Sequence, residues 1–313
     1  MVNTPLASVL SNKKDSSMLL FFSYISLTGV GFPLLRYVSL NFDIINNNAV
    51  RFLSGGCLFL ILVLVQYRHE VKALFSSRLI IFQLLLVALL MTGNMYFFMN
   101  AMQLTSALTG SIFCILGLPV TTTLAAFFYL DERKKAKQSR FILSSLLAII
   151  GSAIFVGTTE QIALGNNFTL GAFYWVITIT IAAVQNILVK QIAQKIHTLV
   201  ISTVTALITG ALFLGYAIIS DKIDSLFAKP DYLILLLIVA GMYGLATGMY
   251  MAFHIIQKKG VITFNILQMM VPVSTAIVAY ITLGETVSYL QLIGAAVVVL
   301  GCYGALTTNM TST

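Results

Sequence analysis

The sequence predicts an all-α integral membrane protein of ten transmembrane helices, built as two inverted five-helix repeats with both termini cytoplasmic. Three observations carry that expectation. Residues 119–132 (PVTTTLAAFFYLDE) recur at 272–285 (PVSTAIVAYITLGE), displaced by 153 positions in a chain of 313, with six of the fourteen pairs identical. Charged residues make up only 9% of the chain and hydrophobic residues 59%, with a mean hydropathy of +0.97. Soluble domains carry roughly 25% charged residues, so lipid is the solvent this composition suits. The third observation is that Lys and Arg sit on alternate connections between the apolar runs.

Ten apolar segments are long enough to cross the roughly 30 Å hydrocarbon core of a bilayer. They cover 19–40, 48–66, 79–101, 106–129 and 138–157, then 169–190, 198–219, 232–254, 261–283 and 287–308. Residues 1–18 form a polar cytoplasmic tail. The first repeat is 19–157, an outer connection covers 158–168, the second repeat is 169–308, and 309–313 close the chain on the cytoplasmic side. The first apolar run is longer than the core of a cleaved leader and reads as a retained signal anchor.

Fourteen of the eighteen Lys and Arg residues, Lys13, Arg68, Lys135 and Lys258 among them, fall on one set of helix ends. Arg36, Arg51, Lys222 and Lys229 fall on the other. The richer side is expected to face the cytoplasm. Five spans per half is an odd number, so the second half enters the bilayer upside down relative to the first. Inverted repeats of this kind suit a secondary transporter with its substrate site near the midplane, where exchange of conformation between the halves gives alternating access.

The chain also excludes several classes. Cys57, Cys114 and Cys302 stand singly within apolar runs, and His69, His197 and His254 are scattered, so neither disulfides nor a metal site is indicated. Phosphate-binding loops, dinucleotide fingerprints and nucleophile elbows are absent from the sequence. The expectation is therefore no enzyme, no cofactor and no nucleic-acid partner. The net charge of +8 is read as topological.

At this point the residues resemble a known family. GVGFPLLRYVSL (29–40) in the first span, NAVRFL (48–53) opening the second, the Pro-to-Glu segment in each half and the Gly-bearing last helices are similar to the drug/metabolite transporter superfamily, specifically its EamA-type members. The resemblance covers nearly the whole chain. It implies export of small metabolites or amino acids, as in many members, and uptake in some. It also implies a central cavity framed by the third, fourth, eighth and ninth spans with the first and sixth.

Polar and aromatic side chains within spans are the candidates for that cavity, because an uncompensated polar group is costly in lipid. They are Asn94 and Tyr96 in the third span, Trp175, Gln185 and Asn186 in the sixth, Tyr243 and Tyr250 in the eighth and Asn265 and Gln268 in the ninth. Arg36, near the outer end of the first span, could greet a carboxylate. The alternatives are interhelical hydrogen bonding and, for Arg36, snorkelling to the headgroups. Gating is assigned to Pro119 and Pro272, each of which frees a backbone carbonyl one turn earlier, and to Gly117 and Gly244 in small-residue stripes. Plain close packing is the competing explanation for the stripes. Glu132 and Glu285 are read as caps on the last helix of each half, and Arg51 as a structural partner of Asp43.

No Asp or Glu falls in the centre of a span, which argues against proton-coupled efflux of cationic drugs. The leading expectation is a transporter of a small polar metabolite such as an amino acid, exporting across the cytoplasmic membrane. An uptake permease of the same fold for a nutrient or cofactor is the alternative. The partners expected are a small-molecule substrate and membrane lipid, with a monomer as the functional unit.

Overall fold

The computed structural model describes residues 6–67, 77–128, 137–157 and 167–307, and their regular structure is helical throughout. Glu132, Glu160 and the basic residues of 129–136 lie outside the described residues. In chain order the helices are α1 (Leu6–Asn41), α2 (Ile44–Gln66), α3 (Arg78–Leu104), α4 (Ala107–Ile115), α5 (Gly117–Phe128), α6 (Ser139–Gly157), α7 (Phe168–Ile192) and α8 (Thr198–Ile219). A single turn, α9 (Asp224–Phe227), leads to α10 (Asp231–Leu245), a π-helical segment (Ala246–Met251), α11 (Ala252–Leu283) and α12 (Tyr289–Thr307).

Six of these runs are long and apolar enough to cross a membrane, taking α1 from Met18 and counting Asp231–Gly260 as one run. Four shorter apolar helices accompany them: Ala107–Thr121, Ser139–Phe155, Leu267–Leu283 and Tyr289–Gly301. Large apolar side chains such as Phe22, Val65, Leu143, Ile219 and Ile281 stand exposed on the outside. In water that surface would be unfavourable by about 25 cal/mol per Å²; against lipid tails the cost disappears. The helix α1 starts earlier than the first apolar run, continuing back through the polar head to Leu6.

The two halves reuse the same polar devices at a fixed offset. The helix α2 is capped by Asp43, whose carboxylate accepts from the amides of Ile45 and Asn46. The helix α8 is capped 154 residues later by His197, whose Nδ1 accepts from the amide of Leu199 at 3.2 Å. Likewise the Gln103 amide donates to the carbonyl of Ser39, and Gln257 donates to that of Ala193, both at 2.5 Å and again 154 apart. Capping needs only an acceptor at the helix start, which explains how a carboxylate and an imidazole serve equivalent ends.

Small residues set the packing. In the α6–α12 contact, a Cβ added at Gly151, Gly294 or Gly301 would lie within 2.7 Å of a backbone nitrogen on the facing helix. Close backbone approach of this kind is how helices associate in lipid, where burial of apolar surface gives no driving force. The helix α2 is wedged between α8 and α10 in the same way, with Gly56 against Leu207, Leu53 against Gly210, and Gly55 facing Gly241.

The matched prolines have different surroundings in the backbone. The fourth span breaks at Leu116, and Pro119 sits in the first turn of α5, where a missing N–H costs little. Pro272 lies within α11, which continues through it. The second half is interrupted elsewhere, by the π-helical segment and by Gly260, whose φ of 88° stops a right-handed helix.

Candidate functional site: a cavity between the halves

The helix α3 lies closely along α7, whereas α10 and α1, the pair that the repeat makes equivalent to them, touch far less. Between them is a cavity of about 160 Å³. Its walls come from both halves: Tyr24, Gly31 and Phe32 of α1, Arg51 and Phe52 of α2, Met91, Met95 and Phe98 of α3 and Cys114 of α4. Tyr243, Gly244 and Leu245 of α10, Thr247, Gly248 and Met249 of the π-helical segment and Gln268 of α11 line it too, with Thr28, Leu34, Leu35 and Ala240 beside them. π-Helical turns recur at functional sites because the extra residue turns side chains out of register. Here the turn supplies a stretch of the wall.

Of the residues the sequence singled out, Tyr243, Gln268 and Gly244 line this cavity. The Tyr243 hydroxyl donates to the Leu27 carbonyl at 2.5 Å, tying α10 to α1 at the cavity edge. Gln268 presents a buried Oε1 that accepts no hydrogen bond from the described residues. Among the described side chains the other candidates lie outside the lining. Asn94 is buried and donates to the Thr178 carbonyl at 2.8 Å, joining α3 to α7. Gln185 reaches from α7 to Met91 Sδ at 3.8 Å.

Trp175 is fully buried and donates through Nε1 to Thr105 Oγ1 at 2.9 Å. Its indole packs edge-on against Phe98 at 5.0 Å, so it stands one ring behind the cavity wall. Gly110 makes room for it, since a Cβ there would lie 2.5 Å from the indole. Tyr96 is exposed beside Phe97. Arg36 donates to the Met102 carbonyl near the ends of α1 and α3. Pro119 and Pro272 are buried, and Gly117 has open space around it.

Two structural expectations need correction. Glu285 does cap a helix, but in the other half: its carboxylate accepts from the amides of Ala107 and Leu108 at 2.9 and 3.3 Å, closing the start of α4. The helix α11 ends at Gly284, whose φ of 66° is the left-handed cap that lets the chain turn before Glu285. Asp43 pairs with Lys222 at 3.1 Å, not with Arg51. Asn46 reinforces that contact by donating to the Lys222 carbonyl and to Ser225 Oγ.

Arg51 is the functional candidate that sequence reasoning missed. It is only 3% exposed and lines the cavity. Within the second span it is a cation eight residues from a carboxylate, and such spacing suggested a surface pair. The signal that could have found it is the facing stripe of Gly241 and Gly244, which brings α10 onto its backbone.

Residues 15–157 and 169–307 match the EamA-like transporter family. The chain belongs to that family. The two matched stretches cover most of the chain and divide it between the repeats. A protein of Haemophilus influenzae described as an uncharacterized transporter is 45% identical over 287 residues, 90% of this chain and 94% of that protein. A crystal structure described simply as that of a protein aligns with a TM-score of 0.66 over 96% of this chain and 99% of its own, at 16% identity. That likeness is one of fold alone. Membership of the EamA-like family and the long apolar helices make this a multi-pass membrane protein of the transporter class.

Proposed function

We propose that the chain is a secondary transporter that moves a small metabolite, an amino acid or a similar solute, across the cytoplasmic membrane by alternating access, in the direction of export. One observation carries the reading: a cavity walled by both halves, at the level where the fourth span breaks at Leu116 and the eighth turns π-helical. Broken helices at the contact of two repeats are where transporters of this build hold their solutes. The six long and four shorter apolar helices support ten crossings. The charge asymmetry of the connections supports cytoplasmic termini.

The unequal packing of the halves supports alternation. With α3 close on α7, and α1 packed more loosely on α10, the cavity belongs to one of two states that exchange of conformation would interconvert. The paired contacts of Gln103 with Ser39 and Gln257 with Ala193 would break alternately. Pro119, Pro272, Gly117 and Gly244 are proposed to let the helices bend and slide as they do. Tyr243 and Gln268 are proposed to contact the solute, and Asn94, Trp175, Gln185, Tyr96 and Arg36 to hold the walls and ends that frame it. A single chain supplies both halves, so the proposed unit is a monomer.

The test is a thermal-shift screen of the purified protein against amino acids, nucleotides, amines and organic acids, followed by flux in proteoliposomes in both directions. A ligand that binds only the folded state raises its stability by mass action. A stabilising solute that also crosses the membrane supports the reading. Stabilising solutes with no flux in either direction would defeat it.

A further inference from the structure

We propose that the solute carries a carboxylate held by Arg51, on a largely apolar body, and that the cavity disfavours cations. The inference rests on the transporter reading and names the chemical class of solute for that same site. A guanidinium has five donors in a planar fork, no acceptor, and no means of losing its charge in a protein. Arg51 is 3% exposed, yet its polar contacts are few. Nη1 donates to Asn47 Oδ1 at 3.4 Å and lies 3.2 Å from Met99 Sδ, while Nε is buried with no acceptor. Among the described residues no carboxylate pairs with it, and the one carboxylate nearby in sequence, Asp43, is engaged by Lys222.

A buried cation in this condition is unfavourable unless an anion completes it. The local packing leaves room for one. At Gly241 an added Cβ would fall 2.5 Å from the Arg51 Cα, so α10 pins the Arg51 backbone in place. One turn further on, Gly244 has no side chain to cover the fork: an added Cβ would stand 3.6 Å from Nη2. Both Arg51 and Gly244 line the cavity. A carboxylate there could take two parallel N–H donations, the geometry in which Arg binds carboxylates most strongly.

The rest of the wall defines the rest of the solute. Phe32, Phe52, Phe98, Met91, Met95 and Leu245 offer apolar surface. Gln268 adds an unpaired buried Oε1, an acceptor for a hydroxyl or N–H of the same solute. Among the described residues no Asp or Glu lines the cavity, so a cationic amine would meet an uncompensated Arg51 charge.

The test uses the full chain purified in detergent. Phenylacetate, hexanoate and phenylpyruvate are compared with phenylacetamide, hexanamide, phenethylamine, hexylamine and inorganic phosphate, by thermal shift and equilibrium binding. The expected result is stabilisation by carboxylates and not by the amides or amines. Arg51→Gln should raise the carboxylate Kd about ten-fold or more, with Arg51→Lys in between. Amides or amines binding as well as the matching acids would overturn the proposal. So would phosphate binding without the carboxylates, or unchanged carboxylate binding in Arg51→Gln. If Arg51→Gln does not fold, the comparison of acid with amide on the natural chain decides alone. The transporter reading fails separately, if compounds that stabilise the protein enter proteoliposomes no faster than they enter protein-free liposomes.

Discussion

The Glu285 carboxylate accepts a hydrogen bond at 2.9 Å from the amide of Ala107, 178 residues earlier in the chain. The end of the second Pro-to-Glu segment thereby caps the fourth span of the first half. The first amides of a helix have no partner within it, and in a membrane they have little water to turn to. A contact between the halves thus satisfies a local need of one of them.

Replacing Glu285 should therefore act on α4. Glu285→Ala is expected to cost about 1–2 kcal/mol, the usual loss for a helix cap, and Glu285→Gln less, because an acceptor remains. Denaturant unfolding of the purified protein measures this. Equal stability of Glu285→Ala and the natural chain would mean the cap carries no energy.

The glycines of the second half should divide sharply by what faces them. A side chain at Gly241 would strike the Arg51 backbone at 2.5 Å, whereas nothing lies within 4 Å of a Cβ at Gly248. Gly241→Leu is expected to cost about 1–3 kcal/mol or more through overpacking. Gly248→Ala should stay within about 0.5 kcal/mol. Thermal unfolding of the two variants side by side checks the contrast, and similar stabilities would contradict the α2–α10 packing.

Trp175 is the sole tryptophan of the chain, so intrinsic fluorescence reports on one place. Complete burial beside Phe98 and Phe113 predicts short-wavelength emission that aqueous iodide and acrylamide do not quench. Trp175→Phe, which leaves Thr105 Oγ1 without its donor, should cost about 1–3 kcal/mol. Red-shifted, readily quenched emission would place the indole in water and reopen its position relative to the cavity.

Much of this was legible in the sequence, for physical reasons that differ from residue to residue. Helix positions follow from apolar length, and the Pro-to-Glu segments marked where the halves correspond. Tyr243 and Gln268 stood out because polar and aromatic groups in an apolar run need a purpose. Asn94 and Gln185 stood out by the same criterion, yet their partners are on neighbouring helices: Thr178 and Met91. One sequence cannot separate those two uses of a polar group. Arg51 was obscured because its burial depends on Gly241 and Gly244, nearly two hundred positions away. The π-helical segment 246–251 had no local signature either, since the three- and four-residue steps of Gly241, Gly244 and Gly248 read equally well as an α-helical stripe.

Alternating access through the cavity can be tested with any solute that stabilises the protein. Cys114 lines the cavity from α4, while Cys57 is exposed on the outer face of α2, toward lipid. With Cys57 and Cys302 replaced by Ser, Cys114 should react with a membrane-impermeant methanethiosulfonate in right-side-out vesicles and in inside-out vesicles alike. Transport by alternation predicts modification from both sides, slowed from each by a bound solute and abolished by Cys114→Ser. Reaction from one side alone, unaffected by any solute that stabilises the protein, would contradict the account.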